Sequence, residues 1–170
     1  QAQTAPDVDK TIDICRRLIN LYPDDIRGHQ TLGVAYLVIE EWDKAQEPLE
    51  WFYRADKENG IAVSNLTDLY RARGMYGQAK RILDEFSATS PDNFNFRTAL
   101  ALHHLCVGDL DEALLEAERA FSLSPTDQGI LGLKGDIRLC RGEMEKAESE
   151  YRKLINSENT VPSIWGRMGV

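Results

Sequence analysis

The sequence has 170 residues, 42% of them hydrophobic and 28% charged, and a formal net charge of −8, which is typical of one soluble globular domain. No apolar run reaches the ~18–20 residues that a membrane-spanning helix needs. The negative charge argues against binding to nucleic acids or anionic membranes, because phosphate groups attract clustered Lys and Arg.

The N-terminal sequence and the cysteines indicate the compartment. Residues 1–10, QAQTAPDVDK, contain neither the basic nor the apolar region of a secretion signal. Cys15, Cys106 and Cys140 form an odd set without a CxxC motif, which favours buried, reduced thiols. We therefore expect a cytoplasmic protein, or one from which a targeting segment has been removed.

In chain order, the first predicted element is a helix over residues 7–22, which ends before Pro23 and belongs to an N-terminal region of residues 1–25. Four units with a period of 34 residues follow. Such a period predicts repeated supersecondary units that stack on one another. The units are residues 26–59, 60–93, 94–127 and 128–161, and residues 162–170, PSIWGRMGV, match the beginning of a further, truncated unit.

Each unit predicts two helices. Apolar residues recur at spacings of four and three, as at Leu32, Tyr36 and Ile39 in the first unit. The most regular column is one alanine in the second helix of every unit, which we expect to be buried between the helices. Small residues of the first helices are expected to lie opposite this column. The alanines are Ala45, Ala79, Ala113 and Ala147, and the small residues are Gly33, Ala101 and Gly135.

Helix caps and turns follow the same period. Asp109 and Glu112 form the pattern of a capping box. Glu40 replaces the turn glycine of the first unit, and Pro48 lies inside its second helix, which predicts a kink or a shifted helix start. The residues that cap the first helices are Asp25, Asn59, Asn93 and Asp127, and the turn glycines are Gly74, Gly108 and Gly142.

The period, the alanine column and the caps resemble those of the tetratricopeptide repeat (TPR) family over residues 26–161, and residues 7–22 resemble the second helix of a preceding partial repeat. The resemblance implies an all-α fold, a right-handed α-solenoid of stacked antiparallel helical hairpins that form a TPR-like superhelix as one continuous domain. It also implies that the first helices line a concave groove. The residues implied for this groove are Arg27, Gln30, Val34, Leu37, Val38, Ile61, Ser64, Asp68, Arg71, Asn95, Thr98, Leu102, Leu105, Cys106, Gly132, Asp136, Leu139 and Cys140.

The apolar part of this groove needs a cover, for which an extended peptide or an amphipathic helix of another protein is favoured. Missing repeats of the array or a second copy of the chain are the alternatives. Chaperone-binding members of the family hold a carboxylate with Lys and Asn. Asn65 matches this pattern, but the other corresponding positions carry Gln30, Val34, Asn95 and Ala99, so such a clamp is not expected. The residues expected to orient a ligand by charge are Arg27, Asp68, Arg71 and Asp136.

A basic run in the fourth unit has a structural and a functional interpretation. Lys134, Arg138 and Arg141 lie on one helical face, where pairing with acids such as Asp136 and Glu143 is favoured over binding of an acidic segment. Because Lys134 and Arg138 occupy columns that are apolar or aromatic elsewhere, this helix is also predicted to be rotated in its packing.

A metal site is not expected at His103 and His104 with Cys106 and Cys140. Adjacent residues of a helix point to different faces, so a core histidine at His104 and inert thiols are favoured.

The sequence contains no phosphate-binding glycine loop, nucleophile elbow or HExxH pair. We therefore predict a non-enzymatic protein–protein interaction module without a cofactor. The alternatives are the regulatory or assembly arm of a larger multidomain enzyme and a self-associating structural scaffold.

Overall fold

The computed structural model describes residues 7–155, and all regular secondary structure in this range is α-helical. The last residues of the fourth predicted unit and the predicted start of a further unit, residues 162–170, lie outside it. The helices of the described range are α1 (Val8–Leu21), α2 (Ile26–Val38), α3 (Trp42–Ala55), α4 (Gly60–Ala72), α5 (Tyr76–Ser87), α6 (Phe94–Val107), α7 (Leu110–Leu123), α8 (Gln128–Cys140) and α9 (Met144–Ile155).

The chain divides into two compact units, residues 1–90 (unit 1) and 91–170 (unit 2). In unit 1 each helix from α1 to α5 packs against the next along the chain, and in unit 2 the same holds from α6 to α9. Helices α2 and α4 also make contact, as do α6 and α8. Each unit is therefore built from antiparallel hairpins in which neighbours in sequence are neighbours in space. The continuity of one solenoid domain stays a prediction.

The predicted period is confirmed by the helix starts. The first helices α2, α4, α6 and α8 begin at residues 26, 60, 94 and 128, at intervals of 34 residues. The second helices α3, α5, α7 and α9 begin at 42, 76, 110 and 144, and α1 precedes them by the same interval. Helix α1, predicted over residues 7–22, thus has the register of a second helix.

The four predicted N-caps of the first helices are confirmed. Each side chain accepts a hydrogen bond from a backbone N–H two or three residues later, at 3.0–3.4 Å, which satisfies a donor that has no partner within the helix. These side chains belong to Asp25, Asn59, Asn93 and Asp127.

The capping box predicted at Asp109 and Glu112 is wrong. Asp109 occupies the N-cap position of α7, but its side chain makes no capping hydrogen bond. The Asp109 carboxylate lies instead 3.6 Å from Nδ1 of His104 in the preceding helix. A contact with the other helix of the hairpin therefore replaces the local one.

Four turns join the helices within the repeats, and all of them use a left-handed residue. Gly74, Gly108 and Gly142 have φ angles of 70°, 87° and 75°, and Glu40 has 60° at the same position of the first repeat. After each of them, the next backbone N–H bonds to a carbonyl five residues earlier, at 2.7–2.9 Å. The turn geometry is thus retained at Glu40, where a Cβ opposes it.

Glu40→Gly should raise the free energy of unfolding by about 0.5–1 kcal/mol, because relief of the left-handed strain outweighs the larger unfolded-state entropy of glycine. The reverse change, Gly74→Ala, should lower it by about 1 kcal/mol. A Cβ at Gly74 meets no atom within 4 Å, so the backbone alone decides this cost. Urea unfolding measures both, and an unchanged midpoint for Gly74→Ala would contradict the argument.

Pro48 does not shift the start of α3. The helix begins at Trp42, in register with the other second helices, and continues through Pro48 to Ala55. Pro48 is buried on the same side as Ala45 and Leu49. Its ring lacks an N–H and removes one intrahelical hydrogen bond, so burial on the packed side is the favourable term that opposes this loss.

The alanine column is confirmed as core. Ala45, Ala79 and Ala113 have no exposed surface, and Ala147 is 2% exposed. Two of the three small residues, however, lie closest to a different column. The atoms nearest to a Cβ placed at Gly33 belong to Leu49, and those nearest to a Cβ at Gly135 belong to Tyr151. These glycines thus accommodate the larger residues one turn further along the second helices, whereas Ala101 shares a core cluster with Ala113.

Helix α8 buries the first residue of its basic run, Lys134. Ile130, Leu133 and Ile137 form an apolar stripe along this helix and are buried in the unit 2 core. Lys134 is nevertheless only 3% exposed. The buried side of α8 is therefore wider than its apolar stripe.

Candidate functional site

The groove residues of unit 1 lie on α2 and α4, and all of them except Arg71 are exposed or half-buried. Val38 is 66% exposed and Ile61 is 42% exposed, whereas Val34 and Leu37 are half-buried. We call the predicted groove residues of α2 and α4 the first-helix surface of unit 1. Its apolar area is thus concentrated at Val38 and Ile61. The remaining members are Gln30 and Ser64, both half-buried, and Arg27, Asp68 and Arg71.

The charged members of this surface are paired within the chain. Arg27 donates from Nε and Nη2 to the two carboxylate oxygens of Asp25 at 3.0 and 2.6 Å. These hydrogen bonds lower the pKa of Asp25 to about 2 and raise the pKa of Arg27. Arg71 is buried and forms an ion pair with Asp68, one helical turn away. A ligand would therefore meet compensated charges here.

The groove residues of unit 2 lie on α6 and α8, and they differ in exposure. Leu139 is 40% exposed, whereas Leu102 and Leu105 are half-buried and pack against the core cluster. Asp136 accepts a hydrogen bond of 2.6 Å from the hydroxyl of Tyr151. The remaining members are Asn95 and Thr98, half-buried, Gly132, buried, and Cys106 and Cys140, exposed.

The three cysteines are free, but only one is buried. Cys15 lies between α1 and α2, where burial raises the pKa of its thiol. Cys106 and Cys140 are exposed, so the prediction of buried thiols is wrong for both. They lie in the last turns of α6 and α8, where the side chains pass beyond the packed core.

The two histidines also differ from the prediction. His103 is the buried one, at 5% exposure, and His104 is half-buried. Their rings meet edge to face, with centroids 5.9 Å apart. Within residues 7–155, no three His, Cys, Asp or Glu side chains come together in a way that could hold a metal ion.

The basic run at the end of α8 is paired with acids of α7, of α9 and of the turn between α8 and α9. Nζ of Lys134 lies 3.0 Å from Glu118 in α7 and 3.6 Å from Glu150 in α9. Arg138 bonds to Glu118 and Glu143, and Arg141 to Glu143 and Asp111. The predicted pairing with Glu143 is therefore correct for Arg138 and Arg141.

Sequence reasoning missed an open groove between α1 and α2. It has a volume of about 400 Å³ and a mostly apolar lining. Ile14, on its wall, is 60% exposed. The 34-residue register contained the signal, since it places α1 as a second helix whose first helix is not among the described residues. The lining residues of this α1/α2 groove are Thr11, Ile14, Cys15, Leu18, Arg27, Gly28 and Thr31.

Helix length and polarity decide whether a helix could span a membrane. The longest helices have 14 residues, and no helix in the described part of the chain is long and apolar enough to span a bilayer.

Solved structures share this fold over nearly the whole chain. A thermophilic TPR protein from Thermus thermophilus has a TM-score of 0.84 at 18% identity, over 94% of this chain and 88% of that one. A TPR protein from Parabacteroides merdae has a TM-score of 0.81 at 18% identity, over 94% and 62%. The chain therefore has the all-α tetratricopeptide-repeat fold, which confirms the predicted fold class.

Two curated proteins are similar to this chain in sequence, at about the same low identity. BBSome complex member BBS4 from Bos taurus is 21% identical over 159 residues, which are 94% of this chain and 30% of that protein. Lipopolysaccharide assembly protein B from Escherichia coli (strain K12) is 20% identical over 166 residues, 92% and 43%. The chain thus spans less than half the length of these relatives. No protein-family model matches it.

Proposed function

We propose that this chain is a non-enzymatic interaction module that binds a peptide or helical segment of another protein on its first-helix surfaces. The observation that carries the proposal is the exposure of large apolar side chains on first helices, Val38 and Ile61 in unit 1 and Leu139 in unit 2. Apolar groups that the core does not use are available to a partner. Since the nearby charges are already paired within the chain, apolar contact would supply most of the affinity.

The comparisons support the same class of function. BBS4 is named as a member of a complex. A chain of the APC/C hetero-tetramer Cut9–Hcn1 has a TM-score of 0.78 at 16% identity, over 95% of this chain and 32% of that one. Both names describe proteins that act in assemblies. A scaffold that presents a preformed surface would serve such a role here, because little ordering entropy is lost when the partner binds.

The test compares two first-helix variants in a quantitative pull-down from cells of the source organism. Val38→Glu/Ile61→Glu places charges on the first-helix surface of unit 1, and recovery of bound proteins should fall by about tenfold or more. Leu139→Glu probes unit 2 separately. Leu102 and Leu105 are avoided because they pack against the core. Thermal melts monitored by circular dichroism establish that each variant is folded.

The matched control places the same charges on a second helix. Leu115 and Leu123 in α7 are 51% and 48% exposed, so Leu115→Glu/Leu123→Glu changes charge and exposed apolar area to a similar extent. The control should recover the wild-type set of proteins. Equal recovery by the wild type, the control and all first-helix variants would contradict the proposal.

A further inference from the structure

The turn between α2 and α3 differs from its three counterparts in the residue that it places in the left-handed conformation. Glu40 has a φ angle of 60°, whereas the other turns use glycines with φ angles of 70–87°. A Cβ opposes this conformation, and strained backbone positions of this kind cluster at ligand-binding sites. A glutamate where glycine would be more stable therefore favours a binding role for this turn.

Two exposed apolar side chains stand directly before this glutamate. Val38 is the last residue of α2 and is 66% exposed, and Ile39 is its C-cap and is 40% exposed. Both are β-branched, so their side chains lose little freedom when a partner covers them. Three consecutive residues thus combine exposed apolar area with a carboxylate. We call Val38, Ile39 and Glu40 the α2–α3 turn patch.

The carboxylate of Glu40 is available to a cation from another molecule. Glu41 lies 3.1 Å from Nζ of Lys44, and Asp43 lies 3.2 Å from Nη2 of Arg73. The exposed side chain of Glu40, in contrast, has no hydrogen bond or ion pair with any residue of the range 7–155. Of the three acids at this turn, Glu40 is therefore the one whose charge is not compensated.

The end of α2 also lacks a cation of its own. The other first helices carry Arg71, His104 and Arg138 in their last turns, whereas the last turn of α2 has no basic residue. The carbonyl groups at the C-terminus of a helix carry partial negative charge, so a cation is stabilising there. A basic side chain of a partner would meet both these carbonyls and the Glu40 carboxylate.

The charge of the patch decides which occupant fits it. The chain has a net charge of −8, so a second copy would be repelled, and a symmetric contact would bring two Glu40 carboxylates together. Nucleic acids and anionic membranes are repelled for the same reason. A protein segment with a basic residue beside apolar ones complements both parts of the patch.

We propose that the α2–α3 turn patch docks a basic amphipathic segment of another protein. A Lys or Arg of that segment donates to the Glu40 carboxylate, and a neighbouring apolar side chain covers Val38 and Ile39. This inference rests on the proposed function, because Val38 belongs to the first-helix surface of unit 1, and it adds the charge of the partner. Apolar contact supplies the buried area, and Glu40 selects basic segments over neutral ones.

The experiment measures the affinity of the full 170-residue chain for two synthetic helical peptides by fluorescence anisotropy, over about 1–500 μM protein. The peptides share one leucine face, which is flanked by lysines in the basic peptide and by glutamines in the neutral one. The wild type should bind the basic peptide about fivefold or more tightly in about 50 mM NaCl. This preference should shrink in about 500 mM NaCl, because salt screens exposed charges.

Glu40→Gln should reduce the preference for the basic peptide below about twofold, since the carboxylate is lost and the apolar part remains. Glu58→Gln is the matched control and should keep the wild-type preference. It removes the same charge from an exposed site beyond the opposite end of α3, so it measures the general attraction of a basic peptide to an acidic chain. Circular dichroism melts establish that both variants are folded.

Glu40→Gly separates docking from structural damage. It should lose the preference for the basic peptide and yet unfold at a higher urea concentration than the wild type, because the left-handed strain is relieved. A Glu40→Gly variant that retains the wild-type preference would overturn the proposal.

Four further results would overturn the proposal. They are equal affinity of the wild type for both peptides, binding of neither peptide, an equal loss in Glu58→Gln, and self-association of the wild type that Glu40→Gln abolishes in sedimentation velocity. The proposed function is judged separately by Val38→Ser, which should weaken both peptides alike by about threefold or more. Equal binding of the two peptides together with that loss would refute charge selection and leave the proposed function intact.

Discussion

Gly135→Ala should lower the free energy of unfolding by about 1–3 kcal/mol, although alanine is the better helix former. A Cβ at Gly135 would lie 2.5 Å from Cε1 of the Tyr151 ring. The ring belongs to a buried cluster with Leu131, Ala147 and Leu154, so it has little space into which it could move. Urea unfolding monitored by circular dichroism measures the loss.

Gly77→Ala is the matched control for this change. Gly77 lies in α5, and a Cβ there meets no atom within 4 Å, so the substitution should stabilise the protein by about 0.5–1 kcal/mol. In a Tyr151→Ala background, Gly135→Ala should become neutral or stabilising, because the ring that it would meet is gone. An equal cost in both backgrounds would show that the close approach to Tyr151 is not the cause.

The predictable features of this fold depend on residues that are close in sequence. The Asn93 cap joins groups three residues apart, and the turn at Gly108 depends on one φ angle. Burial of the alanine column is not local. Its recurrence at every 34th residue nevertheless makes it visible, because equivalent residues of a repeat have equivalent surroundings.

The features that were not predicted depend on which helices a side chain meets. The 34-residue register predicts the helix position of Cys106. It does not predict that the last turn of α6 leaves the thiol of this residue exposed. The pairing of Gly135 with Tyr151 joins two helices, and the sequence offered Ala147 as an equally reasonable neighbour. Long-range contacts of this kind require the relative rotation of the helices, which periodicity does not specify.

The candidate site was predictable to a similar extent. Position on a first helix could be inferred for every predicted groove residue, and α2, α4, α6 and α8 do contain them. Whether these side chains are available to a ligand could not be inferred, because this depends on their partners within the chain. Arg71 is buried and forms an ion pair with Asp68. Val38, a less conspicuous residue in the sequence, is among the most exposed apolar side chains of the described range.

Lys134→Met should lower the free energy of unfolding by about 3 kcal/mol, even though methionine has nearly the volume of lysine. The Lys134 ammonium lies between Glu118 and Glu150 and 4.1 Å from the centroid of the Phe121 ring. Its removal leaves Glu150, which is 6% exposed, with less compensation for its buried charge. Glu150 keeps Lys153 at 2.9 Å and Arg138 at 3.8 Å, but Lys153 is half exposed, so the weaker compensation of the buried carboxylate, rather than the lost lysine itself, causes most of the cost.

That reasoning makes the effect reversible by a second substitution. Lys134→Met/Glu150→Leu removes both charges, so at least about half of the lost free energy should return, because an apolar pair can replace a buried ion pair at little cost. Lys146→Met is the control: Lys146 is exposed and pairs with Glu143 at 3.1 Å, and such surface pairs contribute less than about 1 kcal/mol. A double variant less stable than Lys134→Met would contradict this interpretation. The ion pairs of α8 with α7 and α9 would then be a net source of stability, and Lys134 could not be regarded as a replacement for an apolar core residue.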